Sequence, residues 1–174
     1  MKLLAKILLF TGIFTLHAAT NQWQGRPFAQ FKLKDQSGQI KTNQDFKAKW
    51  VVMYFYPKDR TPGCTVEAQN FADDYQKFVI QNAEIVGVSY DDVESHVDFA
   101  KTYQLKFSLL ADVDHNLAKA MDVHSYFPWP HPSRQTFILD NKGIIVKHFE
   151  DVDPATHSKE LLETLAALNK TTGN

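Results

Sequence analysis

Cysteine is almost absent from this chain: Cys64 stands alone among 174 residues. An internal disulfide is therefore impossible, and no Cys-x-x-Cys motif exists to support dithiol redox chemistry. Charge excess is missing too. Nineteen basic residues face 20 acidic ones, for a formal net charge of −1, which argues against a nucleic-acid surface or a basic membrane patch. There are no internal repeats and no low-complexity segment. The apolar run from Ile7 to Leu16 is too short for a membrane helix, which needs about 20 mainly apolar residues. The seven histidines are scattered, and Asp112, Asp114 and His115 lack the spacing of a metal site, so they read as a turn or helix cap and no metal is expected.

What is present suits one folded domain with a sizeable core. Apolar residues make up 44% and charged residues 22%, and 13 phenylalanines point to an aromatic-rich interior. The N-terminus has the layout of a secretory signal: Lys2 and Lys6, the short apolar run, then the small residues of His17-Ala18-Ala19-Thr20. The expectation is a signal peptide over residues 1–19 and a single domain over 20–174, exported to the periplasm, with an uncleaved N-terminal anchor as the rival. No cysteine follows the run, which excludes a lipid-modified one. In an oxidising compartment cysteines usually come in pairs. A lone one is either buried and inert or kept for chemistry.

The pattern along the chain is α/β. Phe28 to Leu33 alternates loosely and predicts a strand, Asp35-Gln36-Ser37-Gly38 a turn, and Gln39 to Thr42 a returning strand. Trp50 to Tyr56 is a continuous β-branched and aromatic run, the pattern of a central strand covered on both faces. After a loop over Pro57 to Gly63 the period changes, and Cys64, Ala68, Phe71, Tyr75 and Phe78 form one helical stripe. Glu84 to Tyr90 reads as a second buried strand. Asp91 and Asp92 are candidate caps for a helix whose face includes Val93, Val97 and Ala100. A short strand (Phe107 to Leu110), a short helix (His115 to Met121), a loop with three prolines (Tyr126 to Pro132) and a strand hairpin (Arg134 to Leu139, Ile144 to Phe149) follow. A helix from Pro154 to Leu168, with Leu161, Leu162, Leu165 and Leu168 on one face, closes the chain. This order describes a mixed sheet with helices on both faces.

Cys64 falls where a buried strand gives way to a helix. Sites tend to form at such strand ends. The first turn of a helix carries unpaired N–H groups and a partial positive charge, which favour the nucleophilic thiolate. Thr61 suits the cap, Pro62 the first helical position, and Gly63 removes bulk beside the sulfur. By position alone, Cys64 reads equally as a small hydrophobe heading an apolar stripe.

The segment Tyr54-Phe55-Tyr56-Pro57-Lys58-Asp59-Arg60-Thr61-Pro62-Gly63-Cys64-Thr65-Val66-Glu67 resembles the active-site segment of peroxiredoxins, in particular the bacterioferritin comigratory protein (PrxQ) subgroup. Pro57, Thr61 and Cys64 match the family spacing of Pro, three residues, Thr, two residues, Cys. Arg134-Gln135-Thr136-Phe137-Ile138-Leu139-Asp140 is similar to the strand that carries the family's active-site arginine, and the likeness extends from about Phe28 to the last helix. The resemblance implies a thioredoxin fold of peroxiredoxin type and a peroxidase needing no cofactor. Cys64 would attack the peroxide. Thr61, the Cys64 backbone N–H and Arg134 would donate to the peroxide oxygens, Pro57 would shield the sulfur, and Glu67 would hold Arg134. Taken singly, Thr61 reads as a helix cap, Pro57 as a strand end, Arg134 as a surface arginine and Glu67 as a solvated first-turn carboxylate. Arg60 adds positive charge and is assigned no role.

One departure shapes the chemistry. Many members of the subgroup carry a second cysteine five residues after the first, and here that position is Gln69. The sulfenic acid left by turnover must then be reduced from outside, a one-Cys mechanism served by a thioredoxin-like protein or a low-molecular-weight thiol. The expected substrates are hydrogen peroxide and organic hydroperoxides, and the expected state is monomer or homodimer. The loop from Tyr126 to Pro132 is longer than the family version, so that Phe127 and Trp129 could line a substrate pocket, form a dimer contact or pack on the domain edge. A reading of another class also fits: a thioredoxin-like redox sensor or thiol-binding protein without turnover.

Overall fold

The computed structural model describes residues 22–46 and 50–172. The leader expected over residues 1–19 lies outside them. None of the helices among the described residues is long and apolar enough to cross a membrane.

Five strands set the frame. β3 (Trp50–Phe55) lies at its middle, pairing parallel with β4 (Ala83–Ser89), which pairs parallel with β5 (Ser108–Ala111). On its other edge β3 pairs antiparallel with β8 (Gln135–Leu139), which turns through Asp140–Gly143 into β9 (Ile145–Phe149). The N-terminal hairpin, β1 (Lys32–Asp35) and β2 (Ile40–Thr42), joins at the far edge beside β5. The order is β2-β1-β5-β4-β3-β8-β9, a mixed seven-stranded sheet.

The helices follow from the connections. Parallel neighbours need a crossover, which helices supply. α1 (Pro62–Asp73) and α2 (Tyr75–Ile80) link β3 to β4, and α3 (Val93–Tyr103) links β4 to β5. The short α4 (Asn116–Ala120) follows β5, a small hairpin of β6 (His124–Ser125) and β7 (His131–Pro132) precedes β8, and α5 (His157–Thr172) closes the chain.

Strand residues alternate between two cores, because successive side chains leave a strand on opposite faces. Val52, Tyr54 and Tyr56 pack with Phe71, Phe78, Phe99, Leu161 and Leu165 under α1, α3 and α5. Val51, Met53 and Phe55 pack with Phe28, Phe137, Leu117 and Met121 on the other side. The Trp50 to Tyr56 run is thus covered on both faces, as its composition demands. Gly87, mid-strand in β4, makes this possible locally: a Cβ there would stand 2.8 Å from Leu109 Cδ2 and from the Tyr54 ring.

Several local expectations shift. The strand expected over Phe28 to Leu33 begins later, at Lys32, because Phe28 is drawn into the core against Phe55 and Phe137. The single stripe from Cys64 to Phe78 breaks at Asp74, whose carboxylate binds Lys77 and Ser158 and competes with the helical ladder. In α3 the buried face is His96, Phe99 and Ala100, whereas Val97 is 42% exposed. Of the two candidate caps, Asp92 accepts from Ser95 N–H, and Asp91 turns back to Ser89 and Asp59 instead.

Candidate active site

Residues from three elements meet at the C-terminal end of β3. Cys64 is the third residue of α1, and its side chain is 1% exposed. Thr61 occupies the N-cap position with extended backbone, Pro62 opens the helix, and Thr65 N–H makes the first bond to Thr61 C=O. The N–H groups ahead of that bond lie outside the helical ladder and face the loop end.

Arg134 arrives from the opposite side. Phe55 pairs with Gln135, so Arg134 stands one step past the paired register, level with the end of β3. Its Nη2 lies 3.3 Å from Cys64 Sγ, and its Nη1 donates to Glu67 Oε2. Glu67 sits one helical turn after Cys64 on the same face of α1, the spacing that brings side chains together. One planar guanidinium thereby bridges the sulfur and the carboxylate, which a point-charge ammonium cannot do. Gly63 leaves the room: a Cβ there would stand 3.3 Å from Arg134 Nη2 and 3.5 Å from Pro154 Cγ.

The electrostatics are those of a dry site. Burial pushes the Glu67 carboxyl up to about 7, against the pull of Arg134. Burial also opposes the Arg134 charge, but Glu67 and Cys64 beside it raise its pKa overall. Burial and the Arg134 charge drive His157 down to about 4; its Nε2 is 2.9 Å from Thr136 Oγ1. Glu67 Oε1 and the Tyr54 hydroxyl have no hydrogen-bond partner among the described residues.

Thr61 differs from its expected part. It holds the N-cap position but makes no side-chain cap bond; its hydroxyl donates to Lys58 C=O at 2.9 Å. With its proton committed there, the oxygen offers lone pairs outward, so toward a ligand it is an acceptor. Pro57 is half-buried at the start of the same loop, directly after β3. Arg60 points away from the sulfur and pairs with Asp98 at 3.0 Å.

The loop rests on a buried polar cluster that the sequence pattern did not single out. Asp59, 6% exposed, accepts from Tyr56 Oη at 2.7 Å, Ser95 Oγ at 2.7 Å and His96 Nδ1 at 2.9 Å. The signal that could have found it is His96 itself, a polar residue three and four positions before Phe99 and Ala100 on the apolar face of α3.

The hairpin before Arg134 holds Tyr126 and Phe127, 75% and 85% exposed, and Trp129, 50% exposed; Tyr126 meets His124 edge-on and Trp129 lies against His131. Asp112 accepts from Leu117 and Ala118 N–H at the start of α4, and no group of three or more His, Cys, Asp or Glu among the described residues could hold a metal.

Comparison with known proteins places these features in context. The model of the AhpC/TSA family matches residues 24–148. A chloroplastic peroxiredoxin Q from Populus jackii is 43% identical over 155 residues, covering 88% of this chain and 72% of the relative. Peroxiredoxin Bcp from Bacillus subtilis (strain 168) is 37% identical over 151 residues, covering 84% of this chain and 96% of the relative. Among solved structures, the bacterioferritin comigratory protein of Xanthomonas campestris, described for its alkyl peroxide reduction activity, superposes with a TM-score of 0.74 at 34% identity, over 79% of this chain and 90% of that one.

Proposed function

The chain belongs to the AhpC/TSA family of peroxiredoxins, which are thiol peroxidases, and from that premise we propose that it works as a one-Cys enzyme on hydrogen peroxide and organic hydroperoxides. The observation that carries the reading is the Arg134 guanidinium bridging Cys64 Sγ and Glu67 in a buried site. The alkyl peroxide reduction named for the Xanthomonas campestris relative supports the wider substrate range.

The Cys64 thiolate attacks the terminal oxygen of ROOH. An S–O bond forms as the O–O bond breaks, and the oxygen leaves as RO−. In this reading the Arg134 N–H groups and the free N–H groups of the first turn of α1 donate to that oxygen as its charge grows, and preset donors of this kind stabilise a transition state most. Thr61 Oγ1, acting as acceptor, receives the peroxide O–H and orients it. That proton passes to the leaving oxygen, giving ROH and the Cys64 sulfenate, which takes a proton from solvent to become the sulfenic acid. Pro57 covers the approach, and Glu67 holds Arg134 in place.

Regeneration comes from outside, since Cys64 is the chain's only cysteine. An external thiol condenses with the sulfenic acid to a mixed disulfide and water; a second thiol displaces Cys64 and leaves as the disulfide. A thioredoxin-like protein or a small thiol serves as donor. The N-terminal pattern supports export, with Met1 to Ala19 removed and the domain at work in the periplasm; sequencing the N-terminus of protein recovered from the host tests this, and an intact Met1 overturns it.

The test of function is peroxide consumption with a dithiol reductant, comparing wild type with Cys64→Ser. Many equivalents cleared by the wild type and none by the variant is the expected result; equal rates overturn the proposal. Consumption that stops at one equivalent despite reductant would point instead to a redox sensor without turnover.

A further inference from the structure

The loop bearing Pro57 and Thr61 is fastened from behind by a carboxylate that takes no part in the chemistry above. Asp59 lies between those two residues in sequence, yet its side chain turns away from Cys64 into the sheet and α3. Three donors converge on it: Tyr56 Oη, Ser95 Oγ and His96 Nδ1. Its backbone N–H donates to Asp91 Oδ2 at 2.9 Å, an oxygen that also accepts from Ser89 Oγ at 2.7 Å. Burial works against the Asp59 charge, but His96, Ser95 and Tyr56 together hold its carboxyl below the usual range.

Two features show that this cluster is maintained against a penalty. His96 is fully buried, and its Nε2 has no hydrogen-bond partner among the described residues, so the ring is kept in the core with one nitrogen unpaired. Leaving a buried polar atom unpaired is unfavourable, and an aliphatic residue would avoid it. Arg60, the next residue, has φ +61, a left-handed conformation that a long side chain rarely adopts. Such backbone persists where the surroundings over-determine it. The Arg60–Asp98 pair is exposed on both sides and holds little by itself, so the anchor is Asp59.

We propose that Asp59, seated by His96, is a positioning residue of the peroxidase site, setting the place of Thr61 and Pro57 relative to Cys64 and Arg134. The inference rests on the peroxidase reading above. The Thr61 to Lys58 bond closes within the loop, so it fixes the loop's shape but not its place. Cys64 is carried by α1 and Arg134 by the residue just before β8, and the hydrogen bonds of Asp59 go to neither. Loosening Asp59 therefore displaces the groups that orient peroxide while leaving the sulfur and its guanidinium partner in register. A displacement of about 1 Å at a positioning group costs on the order of 100-fold in rate.

The experiment compares two reactions of the same thiol in the full chain. Stopped-flow oxidation by hydrogen peroxide needs Thr61 and Pro57 in place. Alkylation by iodoacetamide needs only the thiolate. In Asp59→Asn and His96→Leu the peroxide rate constant is expected to fall by about 10-fold or more, with alkylation within about threefold of wild type. His96→Asn, whose amide nitrogen replaces Nδ1, is expected to recover most of the peroxide rate. Peroxide rates unchanged in both variants overturn the proposal, as does a parallel fall in both reactions, which marks general disruption. If those two variants do not fold, Tyr56→Phe removes one donor alone; a selective drop of about threefold supports the proposal and no drop overturns it. A wild type that meets peroxide no faster than it meets iodoacetamide refutes the peroxidase reading itself, a different outcome from fast variants beside a fast wild type.

Discussion

Glu67→Gln tests the electrostatics of the site through protein stability. The Glu67 side chain is 1% exposed, and burial lifts its carboxyl from an ordinary value of 4.5 to about 7 against the attraction of Arg134. In the unfolded chain the same group ionises near its ordinary value. The folded state therefore holds the proton over a range where the unfolded state has released it. Stability from this group is fully present below about pH 4.5 and is lost as the pH rises through about 7. At about 1.4 kcal/mol per pH unit, that gap amounts to about 3 kcal/mol. Gln has the same shape and never ionises, so the variant lacks this dependence. His157 works in the opposite sense: its folded value of about 4 lies below the ordinary 6.5, and its contribution is lost as the pH falls through that interval. The two trends offset each other in the wild type, which is why the variant is needed. Urea unfolding followed by tryptophan fluorescence, at several pH values between about 4 and 8, gives wild-type and Glu67→Gln stabilities side by side. The difference should move by about 3 kcal/mol against the wild type as the pH rises. A difference constant across the range would mean that Glu67 is ionised throughout, and the argument from burial would fail.

Arg134→Lys should slow peroxide oxidation of Cys64 by about 10- to 100-fold in stopped flow, because one ammonium cannot serve both Sγ and Glu67 and a charged hydrogen bond is worth about 1.5–3 kcal/mol. Gly63→Ala places a methyl 3.3 Å from Arg134 Nη2; the rate should fall several-fold while the thermal midpoint holds or rises, since Ala is the better helix former by up to about 1 kcal/mol. Gly87→Ala meets Leu109 and the Tyr54 ring at 2.8 Å, and urea unfolding should show a loss of about 1–3 kcal/mol.

Much of the fold could be read without coordinates because the strongest patterns are local. The Trp50 to Tyr56 run has apolar side chains on both parities, so only a strand covered on both faces satisfies it. Leu161 and Leu165 fall at helical spacing and are fully buried. The misread places are those where a distant partner decided the outcome. Val97 fits an apolar face by period, but His96 takes the buried position because Asp59, from another loop, receives its Nδ1. Phe28 has the look of a strand residue, but the aromatic core of Phe55 and Phe137 claims it.

The sequence by itself determined the α/β order, the lone cysteine at a strand-to-helix junction, and the impossibility of an internal disulfide. These follow from periodicity, turn chemistry and a count of one cysteine, none of which depends on distant contacts. Only the tertiary structure decided which groups meet that cysteine. Arg134 is 70 residues away and reaches Sγ because β8 pairs antiparallel with β3 in one register. The direction of the Thr61 hydroxyl and the burial that lifts Glu67 likewise depend on packing. So does the Asp59 anchor, whose donors come from α3 and from Tyr56 just past β3 and converge only after the crossover helices have packed on the sheet.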